Sequence, residues 1–542
     1  MDYRSNFSIR KPLLLSLMVL SFVSYSYGQK ALPITGFESP GNGLLLHLKP
    51  GMMKVQVITP SIIHIVYTPD RSFSKYPKLA VLKKNWGKVS WHSTETDEYL
   101  QVATDSIQVR INKKTGAVSY YNNRGEEVLS EPQSGSKQMQ PVTVQGEKTY
   151  HARQKFDFSP DEALYGLGQY QSKLMNYAGH DVLMSQSNRN DVVPFLVSSK
   201  GYGILWNNTS QSWFRDTYQG AFWSDVADQI DYYFVYGPQT DRIISGYREL
   251  TGKAPLFGKW VYGYIQSKEH YKTSKELIGI VAEYRRRQIP LDVIVQDWHY
   301  WGDNGWNTLT FNKKRYPHPE QMMDTLHDKY HAHLLLSVWP KFGDKTAIYK
   351  AMKSHDYLYP VGDGGGDFEY DAFNPDARDL YWKWIDKGLF SKGVDSWWLD
   401  ATEPEIRDAA STRESTARFI LLNKHNYLGT GARYLNAYSL MTTAGVYKHQ
   451  RETTSKKRVF ILTRSAFAGQ QRNAAATWSG DTQASWIVLQ KQIAAGLNFS
   501  LSGIPYWTTD IGAFFVDNGI FPGGSKNKDY RELFVRWFEY GA

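Results

Sequence analysis

The chain has 542 residues, too many for one ordinary domain and enough for a large core, so about two to four domains are expected. Its net charge of +10 comes from Lys and Arg interspersed with acidic residues rather than gathered in a stripe, which excludes a nucleic-acid surface. The absence of cysteine excludes a disulfide framework, a thiolate metal site and a lipidated cysteine, and the 15% aromatic content suits sugar stacking as well as a core.

Residues 1–28 read as a secretory signal peptide. Arg10 and Lys11 precede an apolar run from Pro12 to Val23, and Ser26-Tyr27-Gly28 offers small residues before a cut. The mature protein is therefore expected to be exported to the periplasm or beyond, to start near Gln29 and to lack a membrane span, since no other stretch approaches about twenty apolar residues.

From residue 29 to 252 the pattern is that of an antiparallel β-sandwich. Short β-branched or aromatic runs, at 53–58, 62–67, 99–103, 107–111 and 117–121, are separated by turn signals such as Thr115-Gly116 and Asn123-Arg124-Gly125. From 253 to 542 apolar strands alternate with helical stretches, the signature of βα units. Strands are predicted at 260–265, 291–297, 334–339, 396–400, 459–463, 475–478 and 504–508, with helices over 274–287 and 319–330. In a (β/α)8 barrel the chemistry gathers at the carboxyl ends of the strands. Asp297, Asp400, Arg464, Asp481 and Asp510 all stand at or just after such ends.

Two of these positions lie in aromatic surroundings, Asp395-Ser-Trp-Trp-Leu-Asp400-Ala-Thr-Glu403 and Trp478-Ser-Gly-Asp481. A lone Asp at a strand end is usually a helix cap or a loop residue. Paired carboxylates flanked by indoles are what glycosidic bond cleavage needs, one ionised beneath the anomeric carbon and one donating a proton to the departing oxygen.

These motifs, with Arg464-Ser-Ala-Phe-Ala-Gly469, Thr509-Asp510-Ile-Gly512 and, upstream, Tyr165-Gly-Leu-Gly-Gln169 and Val193-Pro-Phe195, resemble glycoside hydrolase family 31 from about residue 40 to the last residue. The resemblance implies a retaining α-glycosidase working through a covalent glycosyl-enzyme without a cofactor or metal. It makes Asp400 the nucleophile, Asp481 the acid and base, and Arg464, Asp297 and Asp510 substrate-binding groups. Trp398, Trp478 and Trp507 are expected as walls, Glu403 as an orienting group, and the loop Asn188-Arg189-Asn190-Asp191 as a lip of the site. The indole of Trp298, directly after Asp297, resembles the family's α-xylosidases, in which it would exclude the hydroxymethyl group of glucose. The expected substrate is thus a terminal α-xylosyl residue of oligosaccharides such as xyloglucan fragments. The alternatives are an α-glucosidase or α-transglucosylase of the same family and an inactive sugar-binding fragment. Only seven barrel strands are predicted, and no residue matches a substrate-binding histidine that the family places further on. The chain is accordingly expected to be truncated at its C-terminus.

Other patterns carry less. His331-Ala-His333 has metal-like spacing without an evident third ligand, Gly362-Asp-Gly-Gly-Gly-Asp367 lacks the context of a phosphate loop, and Lys456-Lys457-Arg458 reads as a solvated helix end.

Overall fold

Alternation in the N-terminal half becomes sheet with one face buried: along Ile107–Asn112 every second residue is buried and the intervening ones are half-exposed. The computed structural model describes residues 31–83, 85–360, 366–404, 425–517 and 519–542, so the expected signal peptide 1–28 and most of the glycine-rich stretch lie outside the described residues. Three antiparallel sheets make up this half. An eight-stranded sheet runs in the order Ile34–Glu38, Gly43–Leu48, Met52–Thr59, Ile62–Thr68, Ile230–Tyr236, Tyr202–Trp206, Asp191–Ser198 and Leu164–Gln169. The second has five strands between Lys137 and Ala227, and the third has five between His92 and Ser130. Aromatic pairs join the layers. Trp206 stacks on Phe222 at 5.5 Å and Tyr120 on Phe234 at 3.9 Å, with the Tyr120 and Tyr232 hydroxyls 2.8 Å apart.

The strand Asp191–Ser198 is buried at all eight positions, because the barrel covers the face that would otherwise meet solvent. Its neighbour Leu164–Gln169 carries Gly166 and Gly168, whose φ values of +95° and +106° lie in the region that favours glycine. A side chain at either would strike the carbonyl oxygen of Phe195 or Asp191 on the paired strand. Their amides turn instead to the barrel, donating to Asn498 Oδ1 at 2.9 Å and Ser502 Oγ at 2.7 Å.

The barrel sheet has seven parallel strands in sequential order: β1 (Ile265–Gln266), β2 (Val293–Gln296), β3 (His333–Val338), β4 (Ser396–Leu399), β5 (Ile461–Thr463), β6 (Ala475–Trp478) and β7 (Trp507–Thr508). The strand expected at 260–265 is shorter than predicted. Lys259–Tyr262 forms a 3-10 turn, because Trp260 leaves the strand line to stack on His333 at 4.3 Å. The second predicted helix begins at Pro319 and continues as a π-type turn over Thr325–Lys329. Lys456-Lys457-Arg458 follows rather than ends the helix Tyr438–Thr453, and Arg458 is tied down by donating to the Phe257 carbonyl at 2.8 Å. Between β7 and β1 the helix Lys528–Gly541 takes up the gap. Its Trp537 is buried and donates to Thr509 Oγ1 at 3.2 Å, while Tyr540 meets Trp507 and Phe538 meets Tyr264 at ring separations of 6.4 and 6.0 Å. No helix among the described residues is long and apolar enough to cross a membrane.

Arg433, in the short helix Gly431–Tyr434, locks the barrel to the sheets. It donates to Glu147 at 2.6 Å and to Asp228 at 2.8 and 2.9 Å, with its guanidinium 3.9 Å from the Tyr76 ring. Arg433→Ala would strand two carboxylates, and breaking such a pair costs about 3–5 kcal/mol when fully buried. Because Glu147 and Asp228 retain some solvent, a loss of about 2 kcal/mol is expected in denaturant unfolding, and Arg433→Lys should recover only part of it for want of the planar fork.

Candidate active site

Five ionisable side chains converge at the carboxyl ends of the barrel strands: Asp297 after β2, Asp400 after β4, Arg464 after β5, Asp481 beyond β6 and Asp510 beyond β7. The first two are set by the same local device. Asp297 Oδ1 accepts the Trp298 amide at 2.7 Å and Asp400 Oδ1 accepts the Ala401 amide at 2.7 Å, so each carboxylate is held back over the strand end. Ala401 takes a left-handed φ of +55°, which turns the chain sharply after Asp400.

Arg464 organises the pair. Its Nη1 lies 3.3 Å from Asp400 Oδ1 and 3.2 Å from Asp481 Oδ2, while Nε and Nη2 donate to Glu403 at 3.1 and 2.8 Å. Glu403 is wholly buried, so a planar, permanently charged partner is the one that compensates it best. Two carboxylates touching one nitrogen cannot lie further apart than the sum of those contacts. The pair is therefore held close together, short of most of the range of about 6.5–9.5 Å in which inverting pairs admit a water and compatible with the roughly 5 Å of retaining pairs.

The sandwich contributes directly. Asn188 donates from Nδ2 to Asp481 Oδ2 at 2.7 Å and accepts the Asp481 amide at 2.8 Å, a two-point grip that fixes the carboxylate. Gly480 has a φ of +72°, and a Cβ there would collide with the Asn188 carbonyl, which accounts for the Ser-Gly-Asp sequence. Gln169 donates to the Trp478 carbonyl at 3.1 Å and accepts Trp507 Nε1 at 2.6 Å. Asn188 and Gln169 were visible in the sequence only as members of a loop and a motif; their roles need the fold.

Burial and like charge push the outer carboxyls up. Asp297 rises to about 8, first through desolvation and then through the charges of Asp400 and Asp481, against the opposing Trp298 amide and Ser337 hydroxyl. Asp510 also rises to about 8, through desolvation and then Asp481 and Asp400. Both therefore carry a proton at neutral pH and can donate as well as accept hydrogen bonds.

The four tryptophans divide. Trp298 is half-buried among His270, His299 and Trp306, at ring separations of 5.2, 5.2 and 5.7 Å, and lies beside Asp297. Trp398 is 8% exposed, and Trp478 meets it edge-on at 5.0 Å. Trp478 is 2% exposed, at the carboxyl end of β6. Trp507 is half-buried and held by Gln169. Trp306, which the sequence did not single out, extends the aromatic row to Trp339 at 5.2 Å.

The raised carboxyls make a stability prediction. An Asp whose folded pKa is near 8 holds a proton that the unfolded chain releases near 3.9, so stability falls as pH rises from about 4 to about 8. Asp297→Asn and Asp510→Asn remove that penalty. Each should melt above the parent at pH 8.5, with the advantage shrinking towards pH 4.5, as read by calorimetry; an advantage independent of pH would contradict the protonated state.

Residues 254–542 match the glycosyl hydrolases family 31 TIM-barrel domain and residues 52–214 the glycosyl hydrolase 31 N-terminal galactose mutarotase-like domain. The chain is 41% identical over 504 residues to an α-xylosidase of Saccharolobus solfataricus, covering 90% of this chain and 65% of that protein. It is 30% identical to an uncharacterised family 31 glucosidase of Pseudescherichia vulneris, covering 82% of this chain and 86% of the other. Among solved structures, the family 31 α-xylosidase of Xanthomonas citri superposes with a TM-score of 0.84 at 28% identity, covering 93% of this chain and 71% of that one. With both domains matched and the acidic cluster at the expected strand ends, the chain belongs to glycoside hydrolase family 31.

Proposed function

We propose that the protein is a retaining α-glycosidase that removes terminal α-xylosyl residues from oligosaccharides such as xyloglucan fragments. The observation that carries this reading is the sharing of one Arg464 nitrogen by Asp400 and Asp481. Arg464 sets its cation beside Asp400, the nucleophile of this reading. Asp400 attacks the anomeric carbon as the glycosidic C–O bond breaks, and Asp481 gives its proton to the leaving oxygen. In the second half, Asp481 takes a proton from water, the water oxygen bonds to the anomeric carbon, and the Asp400 ester breaks. Asp297 and Asp510, both able to donate, lie around this centre and suit hydroxyls away from the reacting bond. Export through residues 1–28 is part of the same reading and rests on Arg10 and Lys11 ahead of the apolar run.

Removing Asp400 as Asp400→Ala should leave no measurable turnover. Asp481→Ala should lose about 10²–10⁴-fold on natural xylosides, the usual contribution of general acid catalysis, and far less on substrates with activated aryl leaving groups. Azide should restore turnover to the Asp481 variant through a glycosyl azide. Equal losses on both substrate types in steady-state assays would mean that the roles are misassigned.

An α-glucosidase is the second reading, favoured by the similarity to a protein described as a glucosidase. The two differ at the C5 substituent, and Trp298, partly open and next to Asp297 in the chain, would favour the smaller sugar by taking the space a hydroxymethyl group needs. Trp298→Ile should raise kcat/KM for aryl α-glucoside relative to aryl α-xyloside by about tenfold or more, within the 10–200-fold that one such group is worth in a pocket. A parent enzyme that already prefers glucosides would overturn the xyloside assignment.

A further inference from the structure

The opposite end of the barrel holds a second cluster of chemistry-bearing side chains. His333 opens β3, Asp395 immediately precedes β4, and His327 sits on the π-type turn that leads into β3. Their ligand atoms all lie within 4.8 Å of one another. His327 Nε2 is 2.8 Å from Asp395 Oδ2, and His333 Nδ1 is 3.4 Å from Asp395 Oδ1. The sequence suggested His331 and His333 as the pair. His331 instead turns its Nδ1 to the His327 carbonyl at 3.1 Å, and the fold supplies His327 and Asp395 in its place.

Two features distinguish this cluster from an ordinary ion pair. His333 Nδ1 is buried yet has no partner at hydrogen-bonding geometry, although it faces a carboxylate. The atoms around it are also held in place. The Leu334 amide donates to Asp395 Oδ2 at 2.9 Å and the Trp260 indole stacks on the His333 ring at 4.3 Å, the kind of outer support that orients metal ligands.

We propose that His327, His333 and Asp395 bind a zinc ion. Two imidazoles and one carboxylate are a zinc-type donor set, whereas magnesium and calcium demand oxygen ligands. Tetrahedral zinc at about 2.0–2.2 Å from each donor separates the donors by roughly 3.4 Å, so the observed spacings need changes of an ångström or so, within side-chain reach. Lys457 Nζ stands 3.9 Å from Asp395 Oδ1 and donates to the Gly393 carbonyl at 3.5 Å, and its half-exposed side chain would exchange these contacts for solvent when a cation enters. The ion ties the turn before β3 to the start of β4. Asp400, at the far end of β4, is on the opposite face, so this site serves stability rather than turnover.

Metal-stripped protein titrated with zinc chloride in a calorimeter should bind about one zinc ion saturably through this cluster and melt at a higher temperature once loaded. His327→Gln and His333→Gln, both at partly exposed positions that spare the core, should each lower the affinity at least about tenfold and abolish the melting shift. The absence of saturable binding, a loss smaller than tenfold in either variant, or equal binding of magnesium would each overturn the assignment.

Discussion

The structure of this site depends on one guanidinium. Arg464 is held from behind by Glu403, a carboxylate with no solvent of its own, and so its remaining nitrogen can be shared between Asp400 and Asp481. Without that cation, five carboxyl groups, Glu403 included, would crowd one strand-end cluster with no opposing charge, which disfavours their ionised forms. With it, the central pair shares a cationic contact, while burial pushes Asp297 and Asp510 up to about 8.

The second constraint is the union of the two halves. Asn188 grips Asp481 from the sandwich, Gln169 braces Trp478 and Trp507, and the amides of Gly166 and Gly168 bond to the helix Trp486–Leu501. The antiparallel domain is therefore part of the site. Arg433, joining Glu147 and Asp228, supplies the matching tie at another point of the same seam. The opposing requirement is visible in Asp191, a carboxylate fully buried in that seam, which desolvation pushes well above its ordinary range, with the neighbouring Glu403 adding to the shift.

Much of this was legible in the sequence because period and punctuation are local. Alternation marked the sandwich strands, apolar runs ending in Asp or Arg marked the barrel strands, and the seven parallel strands stand in the predicted order. What failed did so where a distant partner decided the outcome. Trp260 was assigned to a strand but is drawn to His333. His331 appeared to pair with His333 by spacing alone, whereas the ring that meets Asp395 beside it comes from His327, six residues before His333 on a turn. Asn188 could not be matched to Asp481 by any local rule, since 293 residues separate them.

The central claim is that Asp400 and Asp481, poised on one arginine, divide the labour of nucleophile and acid. Incubation with a 5-fluoro-α-xylosyl fluoride, whose glycosyl-enzyme forms readily and hydrolyses slowly, followed by peptide mapping in a mass spectrometer, tests it most directly. The account predicts a single xylosyl adduct on Asp400. An adduct on Asp481, or none while the protein turns over xylosides, would contradict it.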